Sequence, residues 1–108
     1  MTYTVVILTR AKLELYNDAL WWAEHHDQEQ AARWLEQFIA ALDRLSENPQ
    51  QHPLARESDL FDFEMRSLHF GVGKRTTHRA LFRIRDDRVV VYTVRHVARA
   101  DVSQNEIL

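Results

Sequence analysis

The chain has no cysteine, only two glycines and two prolines among 108 residues, and no apolar run near the roughly 20 residues of a membrane span. The missing thiols exclude cysteine nucleophiles, cysteine-ligated zinc and a disulfide framework, and they suit a reducing compartment. The N-terminal MTYTVVILTR has a short apolar core but no basic start, so it does not read as an export signal. A cytoplasmic protein with no membrane partner is expected. Equally absent are a glycine-rich phosphate cradle, a GxSxG elbow, a DxD cluster and an HxxxH helix motif. Neither a metal nor a cofactor is therefore expected, nor is phosphate chemistry through magnesium. What is abundant is 45% hydrophobic and 28% charged residues, the balance of one globular domain spanning 1–108. At this size about 65% of the unfolded surface can be buried, enough for an independent core.

The net charge of −2 argues against a general nucleic-acid binder, yet the sum hides an asymmetry. Residues 1–63 hold five Lys/Arg against eleven Asp/Glu, whereas residues 64–108 hold nine against five. Eight of those nine are arginines, the side chain suited to bidentate contacts with phosphate or carboxylate. A solvated sheet face would use arginine in the same way, so the excess alone does not name a ligand.

Tyr3–Leu8 is a β-branched apolar run, and Thr9 behind it reads as the cap of a helix over Lys12–His26. Leu13, Tyr16, Leu20 and Ala23 recur at helical spacing, with Trp21 and Trp22 widening the apolar face. Asp27 and Gln30 make a capping-box-like start for a second helix, in which Ala31, Leu35, Phe38, Leu42 and Leu45 repeat at i, i+3/i+4. Pro49 and Pro53 stop it, giving an antiparallel helical hairpin. Phe63–Phe70, Thr77–Arg85 and Arg88–Val97 then read as strands, the first two joined by the basic loop GVGKRT and the last two by an Asp86-Asp87 turn. The order β-α-α-β-β-β predicts an α+β domain, an antiparallel twisted sheet with the hairpin on one face. The tail over 99–108 is expected to be mobile or packed on a partner.

Alternation puts His78, Ala80, Phe82 and Ile84 on one side of their strand and Arg79, Leu81, Arg83 and Arg85 on the other. Three arginines mark that second side as the wet one, and Arg66 on the preceding strand is expected to join it. His25 and His26 lack metal-ligand spacing and read as surface features. The segment Val94-Arg95-His96-Val97-Ala98-Arg99 sets an imidazole between guanidiniums. A histidine moves protons near neutral pH and arginines stabilise an anionic transition state, so RNA cleavage without metal is one reading. A buried, hydrogen-bonded structural histidine is the other. Strict alternation places Arg95 and His96 on opposite faces, so only a bulge or the strand's end would let both reach one substrate.

The phrases Arg66-Ser67-Leu68, His78-Arg79-Ala80-Leu81-Phe82-Arg83-Ile84 and Asp86-Asp87 through Val94-Arg95-His96-Val97-Ala98-Arg99 follow the pattern R-x-L … HRxxFxI … DDxVxVxxVRHxxR. In order and spacing the chain resembles the RelE/ParE superfamily over nearly its whole length. The resemblance implies a type II toxin held inactive by a cognate antitoxin, with operator DNA reached only through that antitoxin. RelE-like members cut mRNA on the ribosome, and that translation-linked, metal-independent cleavage is the activity expected here; ParE-like members poison DNA gyrase, the alternative, and a decayed toxin that only binds its antitoxin is a third outcome. By position, Arg79, His96 and Arg99 fall on catalytic places of the RNase branch, and Arg66, Lys74, Arg75, Arg83 and Arg95 are candidate phosphate contacts. Glu64 stands where ribosome-dependent members often carry lysine. Leu68, Phe70 and Leu81 are the expected apolar anchors for the antitoxin.

Overall fold

The computed structural model describes residues 2–107. Strand β1 (Thr4–Ile7) runs into helix α1 (Thr9–His25), which is followed by helix α2 (Gln28–Asp43). After an irregular stretch come β2 (Arg66–Phe70), β3 (His78–Arg85), β4 (Arg88–His96) and a short C-terminal helix α3 (Gln104–Ile107). The element order matches the expectation, with α3 added. The sheet has the order β1-β4-β3-β2.

β2, β3 and β4 are antiparallel as expected, but β1 pairs parallel with β4, Thr4 opposite Arg88 and Ile7 opposite Val91. The hairpin at Asp86-Asp87 fixes the direction of β4, and α1, starting at Thr9, must fold back over the sheet from the end of β1. Asp86 takes the left-handed backbone at φ 55° that a tight turn demands and that aspartate tolerates. β1 ends at Ile7, so among the described residues β4 beyond Val91 has no strand neighbour on that side. The Glu14 carboxylate fills the gap, accepting from the Val94 N–H at 3.2 Å and the Thr93 hydroxyl at 2.7 Å.

Asp27 caps α2 as its side chain accepts from the Glu29 N–H at 2.9 Å. Thr9 does not cap α1: it is the first helical residue, and Leu8 stands at the cap with no side-chain bond. The apolar stripe of α1 is also not the one that the spacing suggested. Ala11, Leu15 and Ala19 are buried, whereas Leu13, Tyr16, Leu20 and Trp21 are 57%, 48%, 59% and 50% exposed. The two alanines let the α1 backbone close on α2 and β4, and that close packing decides which of two apolar stripes faces inward. On α2 the expected face holds: Ala31, Phe38 and Leu42 are buried, with Leu45 just beyond in a 3₁₀ turn.

The two faces of the sheet are covered differently. Against the helices lie Leu68, Ala80, Phe82, Val89, Val91 and Val94, packed on Leu15, Trp34, Phe38 and Leu42. The other face is not wet. Leu81 and Met65 are fully buried there with Ala55 and Val102, and Phe61, Phe63, Tyr92 and Ile107 pack around them. The loop between α2 and β2 and the C-terminal tail form this second cover, so the tail lies on the chain's own sheet rather than free.

Candidate functional site

Each predicted basic residue has a definite place. Arg79 is 3% exposed and donates from both terminal guanidinium nitrogens to Glu57, which is 1% exposed, at 2.7 and 2.5 Å. Glu57 also accepts the Val102 N–H at 2.9 Å, so it ties β3 to the tail. Burial alone would raise the Glu57 carboxyl, but the Arg79 hydrogen bonds and charge together with the Val102 amide hold it down at about 2. Arg95 is 2% exposed and donates to the Ala100 carbonyl at 3.0 Å and to Glu106 at 2.9 Å. Glu106 also accepts from Arg10 at 2.8 Å; the hydrogen bonds from Arg95 and then Arg10 pull its carboxyl to about 2. The expected open arginine face is therefore a closed one. Arg79 and Arg95 are spent on carboxylates delivered from the loop and tail.

Arg66 does not share a face with Arg79. It pairs across from Phe82 on the helix side and donates to the His52 carbonyl at 2.7 Å. Arg83 lies over the Phe63 ring, its guanidinium carbon 4.2 Å from the centroid. Lys74 and Arg75 are exposed on the loop between β2 and β3. Of the expected antitoxin anchors, Leu68 and Leu81 are core residues with nothing left to offer a partner. Phe70 is half-buried, its ring stacked on Phe38 at 4.3 Å.

His96 and Arg99 are the predicted pair that solvent reaches. β4 carries a bulge opposite Leu81/Phe82, yet Arg95 still points to the tail side and His96 to the helix side. His96 borders a cavity of about 360 Å³ with Asp18, Trp21, Trp22, His26, Thr77 and His78. A second hollow of about 290 Å³ beside it adds Glu14, Asn17 and Arg99. His78 is buried among Trp34 and Phe38, with Nε2 3.4 Å from Asp18 and Nδ1 2.8 Å from the Thr77 hydroxyl. His96 Nδ1 accepts the Ala98 N–H at 3.1 Å. In this arrangement the neutral ring keeps its proton on Nε2, so it can donate there but not accept. Arg99 lies 3.5 Å from Glu14.

Motif reading missed Asp18, Glu14, Glu57 and Glu106, because a carboxylate that completes a buried pair from a distant segment leaves no local signature. Among the described residues, no three His, Asp or Glu side chains gather in a way that would hold a metal ion. No helix among the described residues is long and apolar enough to cross a membrane.

Comparison with known proteins places this geometry. The family model described as ParE toxin of type II toxin-antitoxin system, parDE, matches residues 5–101. The chain is similar in fold to a structure of the chromosomal ParDE toxin-antitoxin system of P. aeruginosa, at TM-score 0.70 and 16% identity over 89% of this chain and 97% of that one. It is also similar to a chain of the RelBE2 toxin-antitoxin complex of Mycobacterium tuberculosis, at TM-score 0.54 and 28% identity over 89% and 99%. No curated protein matches the chain. With the family model covering most of its length, the chain belongs to the ParE toxin family of type II toxin-antitoxin systems.

Proposed function

We propose that this toxin stops growth by docking on a protein target, DNA gyrase, and not by cutting mRNA. One observation carries the choice. Arg79, the residue that a RelE-like nuclease would turn toward the scissile phosphate, is buried and held by both terminal guanidinium nitrogens on Glu57. Exposing it would separate an ion pair deep in the fold, at a cost of several kcal/mol. The other candidates do not make up the loss, because Arg66 and Arg95 are engaged elsewhere, Arg99 faces Glu14, and the Nδ1 of His96 accepts the Ala98 N–H. A docking toxin needs no acid or base. It needs an exposed apolar surface, and Leu13, Tyr16, Leu20 and Trp21 supply one along α1.

The experiment is inducible expression in bacteria with separate pulse-labelling of DNA and protein synthesis, alongside a supercoiling assay with purified gyrase. DNA synthesis is expected to stop first. His96→Ala should keep toxicity, and so should the paired replacement Arg79→Met with Glu57→Leu, which removes the arginine without stranding a charge. Leu20→Asp should abolish toxicity at unchanged soluble level. An early arrest of protein synthesis that is lost in His96→Ala would overturn the proposal in favour of the nuclease.

A further inference from the structure

The solvent-facing stripe of α1 complements itself. Leu13, Tyr16, Leu20 and Ala23 follow one another at spacings of three and four, so they form one line along the helix, turned away from the buried Ala11 and Leu15. Trp21 flanks the line, its ring stacked on His25 at 4.5 Å and set edge-on to Trp22 at 6.0 Å. The indole is thus held in place before any partner arrives, which lowers the ordering cost of covering it.

The charges along α1 are arranged to match a second copy running the other way. Lys12 and Glu24 lie equally far on either side of Asp18, as do Leu13 and Ala23, and Tyr16 and Leu20. Two α1 helices packed antiparallel about that level set Tyr16 of each copy beside Leu20 of the other, Leu13 beside Ala23, and Lys12 at the height of Glu24. Lys12 and Glu24 are both exposed, and among the described residues neither makes an ion pair. The two nearer acids do not interfere, because Glu14 turns to Thr93 and Val94 and Asp18 to the His78 Nε2 at 3.4 Å. Near the middle of the stripe stands the neutral, exposed Asn17. A parallel pair would instead set Lys12 against Lys12 and Glu24 against Glu24.

We propose that two copies of this chain pair through α1 in an antiparallel, two-fold contact that covers Leu13, Tyr16, Leu20 and Trp21, so that the toxin masks its own docking surface as its concentration rises. The proposal rests on the gyrase reading, which assigns that surface to the target. Each of the four large side chains is about half exposed, and an aromatic ring offers about 150–250 Å² in full, so covering the stripe buries roughly 400 Å² on each copy. That total falls below the roughly 1,200 Å² of a stable complex, which makes the dimer a weak one that dissociates at about 1–100 µM. Scarce toxin is then monomeric and free to dock.

The test is sedimentation velocity on the purified chain across the micromolar range, with the gyrase supercoiling assay run on the same variants. Wild type should pass from monomer to dimer with rising concentration. Lys12→Glu and Glu24→Lys should each raise the dissociation constant at least tenfold at unchanged melting temperature, because two-fold symmetry makes the pair twice and each reversal turns attraction into repulsion. The two substitutions together should restore it. At a concentration where wild type is mostly dimer, Lys12→Glu should inhibit gyrase at severalfold lower total toxin. A wild-type chain that stays monomeric, single variants that pair as well as wild type, or a double variant no tighter than either single would overturn the proposal and leave the gyrase reading standing. So would a dimer that inhibits as strongly, chain for chain, as the Lys12→Glu monomer. A Lys12→Glu monomer without effect on gyrase would overturn the gyrase reading and the masking with it.

Discussion

The two faces of the sheet solve the same problem by different chemistry. On one, two helices bring Leu15, Trp34, Phe38 and Leu42 against strand residues, and area buried from water does the work. On the other, a loop and a tail with little regular structure bring a few apolar residues and two carboxylates that pair with buried arginines, Glu57 with Arg79 and Glu106 with Arg95. The pairs are imperfect, since the Nε of each arginine lacks a partner. A short irregular cover cannot supply a helix's worth of apolar area, and charged clamps fix it in place instead. Specific attachment there replaces bulk burial.

The comparison predicts different responses to single and paired substitutions. Phe38→Ala on the helix side and Glu57→Ala on the tail side should each cost about 3–5 kcal/mol in urea unfolding, the first by leaving a cavity, the second by stranding the Arg79 charge. Only the tail side should be rescued by removing both partners. Glu57→Leu with Arg79→Met should come within about 1 kcal/mol of wild type, the remaining cost being the Val102 N–H that loses its acceptor. A double variant as unstable as Glu57→Ala would show that the clamp contributes more than charge compensation.

Acid should separate the faces as well. Glu57 falls from 4.5 to about 2 on folding, so its contribution is complete above about pH 4.5 and is lost as the pH drops toward 2. A depression of that size corresponds to roughly 3 kcal/mol. Glu106 acts in the same direction with less effect, since its side chain is 30% exposed. Near pH 3 the Val102 amide should therefore lose protection from exchange before those of Phe82 and Val91. Glu57→Gln should flatten the pH dependence between 2 and 4.5; an unchanged slope would place the acid sensitivity elsewhere.

The same division explains what could be read from the residues alone. The hairpin, the three later strands and the face assignments of β3 follow from period and punctuation, because those signals are local. The α2 face came out right from one clear stripe; α1 has two, and only packing against alanines chose between them. Alternation correctly put Arg79 with Leu81 and Arg83, yet nothing in a strand's own residues tells what will cover it. Glu57 lies 22 positions before Arg79, in a segment without periodicity. The acidic first half and the basic second half proved to be partners within the fold, as Glu57–Arg79 and Glu14–Arg99 illustrate. Of the predicted site, His96, Arg99, Lys74 and Arg75 remain at the surface, and of the expected anchors Leu68 and Phe70 border the groove between β2 and α2.

Glu14 offers the smallest and sharpest contrast. Like Glu57 it is a carboxylate that ties arginine charge to a backbone N–H, contacting Arg10 at 3.6 Å, Arg99 at 3.5 Å and the Val94 N–H at 3.2 Å. Unlike Glu57 it sits where water reaches, with 18% of its side chain exposed and Arg99 54% exposed. Glutamine there keeps an oxygen for the Val94 and Thr93 donors and removes only screened Coulomb attraction, so Glu14→Gln should cost about 0.5 kcal/mol. Glu57→Gln keeps an oxygen too but leaves Arg79 charged and buried, and should cost roughly 3 kcal/mol. Urea midpoints for the two variants, measured side by side at pH 7, give the ratio directly. Equal losses would mean that burial around Arg79 does not set the strength of its pair, and the tail-side clamp would then be no more than a surface salt bridge.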